Sequence, residues 1–154
     1  MQLSEILRPG AVRSVGQVTS KKRLFQDIAD LAHSEYGLNA SEVLDALQER
    51  ESLGPTGVGK GVALPHARLH GLDRVVGLFL RLEKPLDFDA VDRQPVDLVI
   101  ALLAPESSGV DHLKALALVS RTLRDADLRQ KLRANDNPTT LHALLSAAAG
   151  IKAA

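Results

Sequence analysis

Between Lys21 and Tyr36, Leu24, Ile28, Leu31 and Ala32 fall at helical spacing, with Ser20 placed as a cap and Gly37 just past the end, so this stretch reads as a helix. Asn39 followed by Glu42 makes a capping box, and Val43, Leu44 and Leu47 form the stripe of a second helix that stops near Leu53-Gly54-Pro55. Strands are expected at Gly61–Leu64, at Val75–Leu82, where Val76, Leu78, Leu80 and Leu82 alternate with other residues, and at Asp97–Ala104. The last has no polar face, so it belongs at the centre of a sheet covered on both sides. A third helix is expected over Gly109–Leu123 with Leu113, Leu116, Ala117 and Ser120 as its stripe and Ser107 or Ser108 as its cap. Asp125 and Asp127 mark a short fourth helix. Asn137-Pro138 opens a fifth, which Gly150 is placed to end, and the Ala-rich tail at 146–154 is expected to fray.

Helices and strands mix without regular βαβ alternation. The expected architecture is therefore an α/β or α+β sandwich with a mixed central β-sheet flanked by helices on both faces, rather than a dinucleotide-binding fold. Residues 1–154 are enough for one domain with its own core.

Composition narrows the chemistry. There is no cysteine, which removes disulfides, Cys-ligated metals and thiol catalysis and leaves histidine, serine and carboxylates. Nineteen basic and nineteen acidic residues cancel, and aromatics make up 3%, so neither phosphate-backbone binding nor base stacking is indicated and no nucleic-acid partner is expected. No apolar run approaches the roughly 20 residues of a membrane-spanning helix. The first residues lack a basic stretch leading into an apolar one, so the expected location is cytoplasmic.

Gly54-Pro55-Thr56-Gly57-Val58-Gly59-Lys60-Gly61 fits the P-loop pattern except at its last position, where Gly61 replaces the Ser or Thr that holds magnesium. It also follows a helix rather than a strand, and a nucleotide site is rejected. Four glycines in these eight residues suit either a loop lining a site or a tight crossover between helix and sheet, with nothing in the spacing to choose between them. His66 and His70 stand at i, i+4, but Ala67 takes the place of a catalytic glutamate and Arg68 would repel a dication, so no metal site is expected. His33 and His142 read as exposed or half-buried helix residues, and His70 as solvated loop. His66, after Pro65 and at what reads as a strand end, is a functional candidate with a satisfied structural histidine as the alternative. His112, near the amino end of the third helix, is able to meet it, or to be a first-turn surface residue.

The segment Glu49-Arg50-Glu51-Ser52-Leu53-Gly54-Pro55-Thr56-Gly57-Val58-Gly59-Lys60-Gly61-Val62-Ala63-Leu64-Pro65-His66 resembles the signature of enzyme IIA of the mannitol/fructose class, part of the bacterial phosphoenolpyruvate-dependent phosphotransferase system. The likeness is strongest to its nitrogen-regulatory branch, and it extends from the Leu3-Ile6-Leu7 start to the last helix. It implies that His66 accepts a phosphoryl group from an HPr-like phosphocarrier and that His112 and Arg50 stabilise it. Gly57, Gly59, Gly61, Pro65 and Arg68 would then belong to a phosphate loop or docking face. Pro55, Lys60 and Ala67-Arg68 depart from the usual pattern around that face. The resemblance further implies a phosphoryl-transfer protein rather than a stand-alone enzyme, needing no cofactor. Its other partners would be regulatory targets in potassium transport or in nitrogen or stress signalling, or else a IIB acceptor in the sugar-transporting relatives. Without the resemblance, Arg50 reads as a solvated helix-end arginine between Glu49 and Glu51.

The chemistry of an imidazole fits that role. A histidine with an ordinary pKa near 6.5 is largely neutral at pH 7 and offers a ring lone pair to phosphorus without a strong base or a metal. A phosphoryl group brings a charge of about −1.5 to −2, a large change on a neutral protein.

Overall fold

The computed structural model describes residues 1–107 and 109–153, the side chains of 149–153 excepted. In chain order the elements are α1 (Leu3–Ile6), a 3₁₀ turn (Pro9–Ala11), β1 (Val12–Val15), α2 (Lys21–Tyr36), α3 (Ala40–Ser52), β2 (Gly57–Gly59), β3 (Val62–Ala63), β4 (His66–Leu69), β5 (Val76–Leu86), β6 (Val96–Pro105), α4 (Gly109–Thr122), α5 (Ala126–Arg133) and α6 (Pro138–Ala153). The strands form one mixed sheet in the order β1-β5-β6-β3-β2, with β4 also paired to β6.

The helix starts follow local chemistry. Ser20 accepts from the Arg23 amide, Asn39 from that of Glu42, and Asp125 from those of Asp127 and Leu128, while Gly37 ends α2 in the left-handed conformation that glycine adopts without strain. Of the two expected caps of α4, Ser107 or Ser108, the second lies outside the described residues. Gly150 does not end α6, which continues to Ala153. One glycine inside an Ala-rich helix costs only about 1 kcal/mol relative to alanine, too little to stop it. The tail expected to fray falls largely on residues whose side chains lie outside the described part.

β6 is the centre of the fold. It runs antiparallel to β5 and parallel to β3 and β4, and every residue along it is buried except Asp97, half-buried and gripped by the Arg133 guanidinium. Helices α2 and α3 pack together, α2 on β5 and α3 on β4; α4 and α5 pack on β6 and α6 on β1, so both faces of the sheet are covered. Each fully buried aliphatic side chain in such a strand is worth about 1.5–3 kcal/mol.

Several elements depart from the pattern read along the chain. β1 was not expected: Val12-Arg13-Ser14-Val15 has no alternation, and only its parallel pairing with β5 makes it a strand. β5 runs on to Leu86 because, after a register shift, Leu86 pairs with Val96. The strand expected at Gly61–Leu64 is split at Leu64-Pro65: β3 and β4 both lie along β6, and His66 opens β4 rather than closing a strand. The buried face of α4 consists of His112, Ala115, Leu118, Val119 and Thr122, while Leu113 and Ala117 of the expected stripe are exposed. Helix α4 is apolar nearly all round, so periodicity did not decide which side meets the sheet.

Candidate functional site

Pro65 is the local cause of the site. It has no amide hydrogen for the ladder, yet its carbonyl accepts from the Leu102 amide, so the strand is held while its direction is interrupted. The preceding carbonyl, that of Leu64, takes a hydrogen bond from Nδ1 of His66 at 2.9 Å. A carbonyl oxygen only accepts, so Nδ1 carries the proton, and in the neutral ring Nε2 keeps its lone pair. No described residue occupies Nε2.

His112 is brought to the same place from α4. The two rings meet edge to face with centroids 5.6 Å apart, and His112 is 5% exposed, which excludes the surface reading of that residue. Its Nδ1 accepts from Nε of Arg68 at 3.3 Å, so its proton lies on Nε2. That Nε2 is buried and has no partner among the described residues. The site thus holds one histidine with a free lone pair and one with an unspent donor.

Around them lies a concavity of about 460 Å³ lined by Ala46, Glu49, Arg50 and Leu53 of the α3 end, His66, Ala67 and Arg68 of β4, and His112, Leu113 and Leu116 of α4. Arg50 is half-buried and donates to the Gly54 carbonyl at 3.1 Å; among the described residues it pairs with neither Glu49 nor Glu51, so the solvated ion pair is not formed. Glu51 is spent elsewhere: its carboxylate accepts from the amide and hydroxyl of Thr56 and from Nζ of Lys21. This network ties down the chain just past Arg50. Sequence reasoning missed it, because Lys21 is 30 residues from Glu51 and no short motif joins them.

Burial pushes the pKa of His66 below the ordinary value, with the Arg50 charge acting in the same direction against the Leu64 hydrogen bond and Glu51. His112 is likewise lowered by burial, then by His66 and Arg68. Both shifts favour the neutral rings, with two guanidinium groups beside them. The exposed side chains of Leu53 and Leu113, 80% and 65% exposed, give the mouth an apolar rim, and Val110 stands exposed one turn before Leu113.

The glycines lie elsewhere. Gly57, Gly59 and Gly61 do not line this concavity: β2 and β3 form a hairpin whose turn passes through Gly59 and Gly61, both at positive φ. The Lys60 amide between them donates to Asp92, its carbonyl accepts from Arg133, and a Cβ on Gly57 would collide with Ala90. These residues secure the hairpin, and Gly59 and Lys60 border a separate cavity of about 290 Å³ that contains no histidine. Close packing explains these glycines, and none of them borders the concavity that holds the two histidines. Pro65, buried, acts through the backbone rather than at the surface. His70 is exposed beyond β4, 3.2 Å from Glu106, so the His66/His70 spacing falls on a strand and its following turn and not on one helical face. His33 and His142 bond the carbonyls of Leu38 and Leu7. Among the described residues no three His, Asp or Glu side chains group to hold a metal.

The family model described as phosphoenolpyruvate-dependent sugar phosphotransferase system, EIIA 2, matches residues 5–148. The chain belongs to this family. It is 45% identical over 146 residues to a nitrogen regulatory protein of Bradyrhizobium diazoefficiens, covering 95% of each chain. Against the nitrogen regulatory protein of Escherichia coli it is 40% identical over 147 residues, covering 95% of this chain and 90% of that one. The crystal structure of nitrogen regulatory protein IIA-Ntr from Neisseria meningitidis superposes with a TM-score of 0.85 at 36% identity, over 92% of this chain and 97% of that one. Membership agrees with the resemblance carried by Glu49–His66. No described helix is long and apolar enough to cross a membrane.

Proposed function

We propose that this EIIA-type protein is a cytoplasmic phosphoryl carrier and regulator of the nitrogen-type phosphotransferase system, phosphorylated on Nε2 of His66 by an HPr-like phosphohistidine protein. The observation that carries this reading is the pairing of opposite tautomers: His66 with its proton held by Leu64 and, among the described residues, a free Nε2, and beside it His112 with a buried Nε2 donor that no described residue takes up.

In the transfer, the Nε2 lone pair of His66 attacks phosphorus, the N–P bond of the donor breaks, and its electron pair returns to the donor imidazole. Nδ1–H of His66 stays on the Leu64 carbonyl throughout, so the ring gains imidazolium character and no base is required. That character keeps the bond labile, because a neutral imidazole leaves when the group moves on. The group's charge in flight is spread over its oxygens, and what the protein supplies is positioning and donors: Nε2–H of His112 and the guanidinium groups of Arg50 and Arg68. The apolar rim of Leu53 and Leu113 excludes water and seats the donor protein. Once the group is in place, its oxygens bring about two negative charges, partly offset by the imidazolium ring, into the middle of that same docking face, and partners are accepted or refused accordingly. Regulated components of potassium transport or of nitrogen and stress signalling are the partner class this branch of the family suggests.

The test is intact-mass spectrometry of wild type and His66→Ala after incubation with phosphoenolpyruvate, enzyme I and the HPr-like carrier. The expected result is an acid-labile phosphoryl adduct on wild type alone. Passage of that adduct to a IIB protein and then to sugar would identify a sugar-transport IIA instead. No adduct on either protein, while a known enzyme IIA in the same mixture is labelled, would leave a domain that works by binding only.

A further inference from the structure

His66 and Arg68 are alternate residues of β4, and alternate side chains of a strand leave on one face, here the face that meets His112. We propose that Arg68 is a positioning residue for phosphoryl transfer: its Nε–H fills the Nδ1 lone pair of His112 and thereby presents that ring to the phosphoryl seat as a neutral donor through Nε2. The proposal rests on the phosphoryl-carrier reading above and gives Arg68 a task distinct from docking.

Three observations carry it. The contact is 3.3 Å, and a guanidinium has no acceptor, so the hydrogen bond has one possible direction and fixes where the proton of His112 lies. The Nε2 atom so protonated is buried without a partner among the described residues, and a buried donor left unspent in a folded protein calls for a group to take it up. Arg68 itself is exposed and spends only Nε on the protein among the described residues, so the two terminal amino groups of its rigid fork are left for the incoming phosphoryl oxygens. One side chain therefore orients the donor ring and faces the group that ring will bind.

The experiment uses the full chain as Arg68→Met, which keeps length and removes every donor, and as Arg68→Lys. Nitrogen-15 long-range correlation spectra near pH 7.5 report the His112 ring directly. In wild type it is expected as the Nε2–H form with Nδ1 displaced from its free value by the hydrogen bond; in Arg68→Met, Nδ1 returns to the free value or the two tautomers mix. In transfer from the phosphorylated HPr-like carrier, kcat falls at least about tenfold in Arg68→Met with KM for the carrier unchanged, since the charge-assisted hydrogen bond that orients His112 is lost together with the terminal donors to the phosphoryl oxygens. Arg68→Lys recovers part of the rate, an ammonium being able to donate to Nδ1. An unchanged His112 ring in Arg68→Met, or a raised KM with kcat intact, overturns the proposal and makes Arg68 a docking residue. A wild type that takes up no phosphoryl group overturns the carrier reading and the kinetic purpose of the contact together, while the nitrogen shifts still decide the hydrogen bond.

Discussion

At the scale of single residues, the site is a matter of where two protons sit. Burial lowers the pKa of both His66 and His112, so the folded protein resists protonating rings that the unfolded chain protonates near pH 6.5. Below that value the unfolded state binds more protons than the folded one, and stability falls with pH; above it, both states are neutral at these rings and their contribution is complete. The urea midpoint is thus expected to be level above about pH 6.5 with respect to these groups and to decline as pH drops below it. The decline should be shallower in His112→Gln, and an equal slope in that variant would remove His112 from the account. Both histidines were legible as candidates from position alone. Their tautomers were not: that of His66 depends on how the ring turns back onto a carbonyl two residues earlier, and that of His112 on a guanidinium 44 residues away.

Secondary-structure elements decide how Arg50 reaches the site. Helix α3 ends beside it, and the turn that follows is held by Glu51, whose buried carboxylate takes the Thr56 amide and hydroxyl at 2.9 and 2.6 Å and the Lys21 ammonium at 2.8 Å. Lys21 in turn sits over the Phe88 ring, linking α2 to the loop after β5. Replacing Glu51 by Ala leaves the Thr56 amide and the Lys21 ammonium unpaired in a half-buried place, and the expected cost is about 1–3 kcal/mol in denaturant unfolding. Phosphoryl acceptance should drop further than stability explains, because Arg50 loses its fixed turn; full acceptance by the folded fraction would show that Arg50 is held by α3 alone. The ends of α2 and α3 were readable because a cap is a contact within three residues. The choice of face on α4 was not, since Leu113 and Leu118 are equally apolar and only the position of the sheet buries one and exposes the other at the mouth of the site.

For the molecule as a whole, the telling quantity is charge. Nineteen basic and nineteen acidic residues leave the chain near zero, so a phosphoryl group, with about two negative charges on its oxygens against the positive charge of a ring that keeps its Nδ1 proton, leaves the labelled protein about one unit more negative. Isoelectric focusing of the labelled protein should show a distinct acidic species that disappears after mild acid treatment, and His66→Ala should focus as one band under the same conditions. A second acidic band in His66→Ala would place a modification elsewhere. The neutral background also means that the docking face depends on its local arrangement, an apolar rim with Arg50 and Arg68 inside, rather than on a general field.

Taken alone, the amino-acid sequence determined what depends on near neighbours: the capped helices, the buried run Leu98–Leu103 that had to be central, the absence of thiol chemistry, and the segment Glu49–His66 that marks the family. Tertiary structure decided what depends on distant ones. It made Val12–Val15 a strand by pairing it with β5, turned the glycine cluster into a hairpin packed on Ala90 and Asp92, and placed His112 against His66. The physical reason is one of range: capping and periodicity act over three or four residues, whereas sheet pairing and the direction of a hydrogen bond are fixed only when separate elements are brought together by burial of the core.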